Sequence, residues 1–116
     1  MKSVQANNAP PYGETAARLG EAVESLERAT RWILAQKSSE SALAGATPYL
    51  RLFGTAAGGC MLAEEALASL RAGDGAGRTA LARFFAENIA IQANGLERSV
   101  TEGADSITGA QAALAE

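Results

Sequence analysis

The sequence predicts an all-α fold: an antiparallel helical bundle of three long helices, or four if the segment before Pro48 is counted separately. Three observations carry this. Apolar residues recur at helical spacing over three stretches of matched length, 14–37, 48–72 and 78–102. The connections between them are short, as antiparallel helix pairs require. No stretch reads as a strand.

Composition sets the character of that bundle. Of 116 residues, 27 are alanine and 12 are glycine, so a third of the chain carries almost no side chain and its helices should pack closely. Apolar residues make up 47% and charged residues 20%, which excludes both a disordered tail and a membrane protein. The net charge of −3 gives no basic excess for sequence-independent nucleic-acid binding. There is no histidine, and the single cysteine, Cys60, excludes an intrachain disulfide, a cysteine cluster for zinc and a Cys/His dyad. No phosphate-binding glycine motif is present. Residue chemistry alone therefore assigns no catalytic, cofactor-binding or metal-ligating residue.

Residues 1–13 read as a disordered lead-in: Asn7-Asn8 and Pro10-Pro11 favour an extended chain, and no apolar run follows Lys2 as it would in a signal peptide. In the first helical stretch Ala16, Leu19, Val23, Leu26, Thr30 and Ile33 form the seam, widened by Ala22, Ala29 and Leu34, while Glu24 and Glu27 stand four residues before Arg28 and Arg31. Residues 40–72 contain Pro48, which lacks an amide and disfavours helix at Thr47, so a short helix ending near Ala46 and a longer one starting at Pro48 are expected rather than one kinked helix. Leu50, Phe53, Ala57, Cys60, Met61, Leu67 and Leu70 are the expected inner stripe of the longer helix. The weakly polar run from Ala42 to Ala63 contains Pro48 and Arg51 and does not span a membrane. Gly73 suits a helix C′ position. The third helix should hold Leu81, Phe84, Phe85, Ile89, Ile91, Leu96 and Val100 inside and stop at Gly103, which leaves 14–105 as the bundle and 106–116 as a frayed tail.

Gly54, Gly58 and Gly59 sit mid-helix, where each costs about 1 kcal/mol relative to alanine. Two readings account for them: a neighbouring helix that approaches closely, or a docking groove for a ligand or second chain. Trp32 lies off the main seam and either covers its own core or docks against another surface. Glu64 and Glu87 read as ion-pairing residues rather than general bases, since Glu87 follows Arg83 by four. Asn88, Gln92 and Asn94 are expected in an interhelical polar contact, and Cys60 as a buried, inert thiol.

The run Tyr49-Leu50-Arg51-Leu52-Phe53-Gly54, with Gly58-Gly59 after it, resembles the extra C-terminal domain of a subset of bacterial acyl-CoA dehydrogenases. That subset includes enzymes acting on 3-methylmercaptopropionyl-CoA. Glu27–Leu34 upstream and Phe84–Asn88 downstream fit in the same order, so the resemblance spans roughly residues 15–105. The chain departs from the family at Phe85 and Asn88, where a tyrosine and a histidine often stand. The resemblance implies that FAD and the glutamate base belong to domains before this one, so this chain alone is expected to be inactive. From the residues themselves, Trp32, Tyr49, Phe53, Gly54, Gly58, Gly59, Phe84 and Phe85 are the expected helix-packing or interface positions. The expected partners are the catalytic domains of a parent dehydrogenase or a second copy of the chain, most simply as a homodimer in the cytoplasm. The alternative is a free-standing helical binding or dimerisation module with no enzymatic activity.

Overall fold

The computed structural model describes residues 13–115; apart from Gly13, the expected lead-in lies outside them. These residues form α1 (Thr15–Ala35), α2 (Ser39–Ala44), α3 (Ala46–Arg71), α4 (Ala76–Asn88), a 3-10 turn (Ala90–Gln92) and α5 (Ala93–Ala115), with no strand among them. α1 packs on α3, α4 and α5, α3 packs on α4 and α5, and the short α2 lies on α5. Cross-helix neighbours fix the directions. Leu19 meets Gly59 and Thr30 meets Tyr49, so α3 runs antiparallel to α1; Gly13 meets Arg83 and Arg28 meets Glu97, so α4 and α5 together run parallel to α1. The bundle is an up-down-up arrangement whose third member is broken in the middle.

The core is thin. Among the described residues ten of the fourteen buried apolar ones are alanine, and the largest fully buried side chains are Leu19, Leu52, Val100 and Thr15. Alanine at facing positions lets helix axes approach to the short end of the usual 8–10 Å range. The inner side of α3 is therefore not the expected stripe. Leu52, Ala56, Gly59, Ala63, Ala66 and Leu67 are buried, whereas Leu50, Phe53, Met61 and Leu70 are exposed. Only Leu67 belongs to both sets. α3 is apolar on two opposite sides, and periodicity cannot choose between them; close packing selects the side with the smaller residues. The same preference puts Thr79, Ala82 and Ala86 inside α4 and leaves Leu81 and Phe84 outside. Leu34, expected at the edge of the first seam, is 80% exposed, and Ile91 also faces out.

Three boundaries differ from expectation, each for a local reason. The chain does form two helices around Pro48, but the break falls at Gly45. Pro48 sits in the first turn of α3, where an amide has no helical partner to lose. A Cβ on Gly45 would lie 3.1 Å from the Val100 carbonyl oxygen, so this elbow is pressed onto α5. The single third helix is instead interrupted between Asn88 and Ala93. The Asn88 side chain donates to the Phe84 carbonyl at 3.0 Å, in competition with the helical ladder, and the Gln92 amide closes a tighter turn onto Ile89. Gly103 does not stop α5, which continues to Ala115. Gly13 and Gly73 are the only residues described with positive φ, so Gly103 does not adopt the left-handed conformation that commonly ends a helix at glycine. Gly73, at φ +84°, does so after α3: its amide bonds the Leu70 carbonyl and the Asp74 amide bonds Ser69, the pair of bonds that defines a Schellman cap.

Of the mid-helix glycines, only Gly59 is tightly enclosed. A Cβ there would lie 2.5 Å from Leu19 Cδ2 and 3.1 Å from Phe85 Cε1, whereas at Gly54 it would meet nothing within 4 Å. Gly59→Leu should therefore lower stability by about 1–3 kcal/mol through overpacking. Gly54→Ala should raise it by up to about 1 kcal/mol through helix propensity. Chemical denaturation of both variants checks the pair of signs.

Candidate functional site

The positions singled out from the sequence separate into an inward and an outward set. Trp32, Tyr49 and Phe85 pack against the alanine core, and Gly59 is buried between Leu19 and Phe85. Gly58 is not a close helix contact: its Cβ position lies 4.0 Å from the tip of Phe85, ordinary van der Waals distance. The space beside these glycines is filled by side chains rather than by a neighbouring backbone. Phe53 and Phe84 project outward, and Gly54 lies open beside Phe53 on α3. The candidate functional surface is thus the outward side of α3, Phe53 and Gly54 joined by Leu50 and Met61, which were expected inside; Phe84 stands outward on α4, at the rim of a groove.

Two interhelical polar contacts hold the frame for that surface. Thr30 donates its hydroxyl hydrogen to the Leu26 carbonyl at 2.8 Å, which leaves its oxygen to accept from the Tyr49 hydroxyl at 2.8 Å. Arg28 reaches from α1 to α5, where Nε and Nη2 grip the two carboxylate oxygens of Glu97 at 2.9 and 3.0 Å. This bidentate geometry was not legible in the sequence, which offered Glu24 four residues away as the nearer partner. Arg31 does take its expected partner, Glu27, at 3.7 Å. The Arg28 hydrogen bond, assisted by one from buried Ser25, holds the Glu97 carboxyl below the usual carboxylate range.

A groove of about 790 Å³ lies where the turn after α3 meets α4, lined by Leu70, Asp74, Thr79, Arg83, Phe84 and Glu87 among others. Its one lining cation, Arg83, is gripped by Glu87 at 2.8 Å, the ordinary ion pair that the spacing predicts. Thr79 is 2% exposed, and its hydroxyl oxygen has no hydrogen-bond partner among the described residues. Among the described residues Asn88, Gln92 and Asn94 make no interhelical hydrogen bond; all three are exposed, and Asn88 bonds its own helix. Burial pushes the half-buried Cys60 thiol up, so it stays protonated and is a poor nucleophile. Among the described residues no three His, Cys, Asp or Glu side chains cluster as metal ligands would.

A model of the family described as acetyl-CoA dehydrogenase C-terminal like matches residues 1–111. The chain belongs to that family. No curated protein and no solved structure matches it. As an acyl-CoA dehydrogenase C-terminal-like domain, the bundle is an accessory helical domain, and the family implies association with catalytic domains. None of its described helices is long and apolar enough to cross a membrane.

The Arg28–Glu97 contact gives the domain a defined acid response. Glu97 has a lower pKa folded than unfolded, so between the two values the unfolded chain binds more protons and stability rises with pH. The contribution is full above the unfolded carboxylate value of about 4.3 and is lost as pH falls through the folded value. Urea titrations from about pH 3 to pH 7 should show the native chain losing more stability on acidification than Glu97→Gln.

Proposed function

We propose that this chain is the accessory C-terminal domain of a flavin-dependent acyl-CoA dehydrogenase of the subset acting on 3-methylmercaptopropionyl-CoA. In this reading it supplies packing and subunit contacts and takes no part in the chemistry. The family match over residues 1–111 carries the reading. The outward-facing Leu50, Phe53, Met61 and Phe84 support it, because an isolated domain has no use for so many exposed large apolar residues. The subset itself rests on the Tyr49–Gly54 run and the glycines that follow.

FAD belongs, in this reading, to the catalytic domains. The groove beside α4 does not fit it: a diphosphate would meet Asp74 and Glu87, and the one cation there is already paired. As the sole cysteine, Cys60 suits a reducing compartment, here the cytoplasm. A free-standing dimerisation module is the second reading, favoured by the same apolar face of α3.

The purified chain should bind no FAD and oxidise neither butyryl-CoA nor 3-methylmercaptopropionyl-CoA with an artificial electron acceptor. Added to the catalytic domains of a 3-methylmercaptopropionyl-CoA dehydrogenase stripped of their own C-terminal domain, it should bind and raise their melting temperature. Stoichiometric flavin uptake, or turnover that survives repurification, would overturn the assignment as a non-catalytic domain. Failure to associate would favour the free-standing module.

A further inference from the structure

α3 carries a second apolar face opposite its core face. Leu50, Phe53, Ala57 and Met61 follow one another at intervals of three, four and four, so they share one side of the helix over roughly 16 Å. Leu50 and Met61 are each 71% exposed and Phe53 51%. Gly54 lies on the same side with open space where a side chain would stand, a notch between projecting residues. The middle of this face carries no charge; beyond Met61, exposed Glu64 stands on the face itself, toward its C-terminal end. Arg51 flanks the N-terminal end and Glu65 flanks the C-terminal end on the same edge, both exposed.

We infer that this face pairs with the same face of a second copy, the two α3 helices lying antiparallel about a two-fold axis near Gly58. The inference rests on the subunit-contact reading above and names the surface that makes the contact. Self-complementarity identifies the occupant. In an antiparallel pair centred at residue 58, Arg51 of each copy stands opposite Glu65 of the other, and symmetry makes that contact twice. A parallel pair would set Arg51 against Arg51. The antiparallel register also brings Met61 of one copy over the Gly54 notch of the other, within one residue's rise. Arg78 contacts Oε1 of Glu65, which leaves Oε2 to accept from the second copy's Arg51. Three large side chains on each side make a small interface, so the dimer should be of roughly micromolar strength.

Sedimentation equilibrium across a concentration series should show a monomer–dimer equilibrium. Met61→Glu should raise the dimer dissociation constant about tenfold or more. Because Met61 is exposed, the circular-dichroism melt of the diluted monomer should not change. Register is read by cross-linking in a Cys60→Ser background. Ala57→Cys lies beside the axis and should form an interchain disulfide on mild oxidation. Ala68→Cys is on the same face but about 15 Å from the axis, so its two copies should not meet. A monomer at every concentration overturns the pairing and leaves the accessory-domain reading to its own association test. A dimer that tolerates Met61→Glu and fails to cross-link at Ala57→Cys keeps the subunit-contact reading and overturns this face. Cross-linking at both cysteines overturns the antiparallel register. If the chain never dimerises but Met61→Glu abolishes binding to the catalytic domains, the face belongs to them and the inference falls.

Discussion

Helices that face one another through alanine can lie close together, and that spacing governs what else the bundle can hold. Between α1, α3 and the α4–α5 pair there is room for Leu19, Leu52 and Val100 and for few other large side chains. Leu19 itself fits because Gly59 stands opposite, and the α2–α3 elbow fits against α5 because residue 45 has no Cβ. Leu50, Phe53, Met61, Leu81 and Phe84 are left on the outside of the same helices. The exposed face of α3 is thus the counterpart of its alanine-lined inner face.

A core of this kind specifies geometry weakly. Alanine surfaces slide past one another with little change in buried area, whereas interdigitated leucines lock a register. Directional contacts take over that role here. The Tyr49–Thr30 hydrogen bond sets α3 against α1, the Arg28–Glu97 grip sets α5 against α1, and the cap at Gly73 sets the turn into α4. Each joins a different pair of neighbouring elements, so together they fix the relative position of all the long helices. The Thr79 hydroxyl, unpartnered among the described residues, shows the opposite case, a buried polar group of α4 that contributes no such constraint.

Helix identity was legible wherever one side of the helix is clearly polar. The first stretch reads correctly except at Leu34: Glu21, Glu24, Glu27, Arg28 and Arg31 mark its outer side, Ala16, Leu19, Ala22 and Ala29 face inward, and Val23, Leu26, Thr30 and Ile33 are half-buried. α3 lacks such a marker between Ala46 and Met61, apart from Arg51 at one edge, so the pattern names the helix but not its orientation. Large residues were the natural candidates for the interior; steric crowding decided otherwise, and crowding depends on neighbours that a single sequence does not display. Trp32, Tyr49 and Phe85 do turn inward, while Phe53 and Phe84 of the same group do not. The contact between Arg28 and Glu97 was hidden for a simpler reason. Its partners are 69 positions apart, and no local spacing rule reaches that far.

The same separation orders the events of folding. The turn capped by Gly73 joins α3 to α4 through a few residues, so that hairpin closes a short loop and can form early. The contact from α1 to α5 closes a loop spanning most of the molecule and becomes available only once the intervening helices are in place. Arg28 and Glu97 therefore act as a late latch. Weakening a late contact leaves the rate of folding nearly unchanged and speeds unfolding. The lifetime of the folded domain, rather than the ease with which it forms, is expected to depend on that latch.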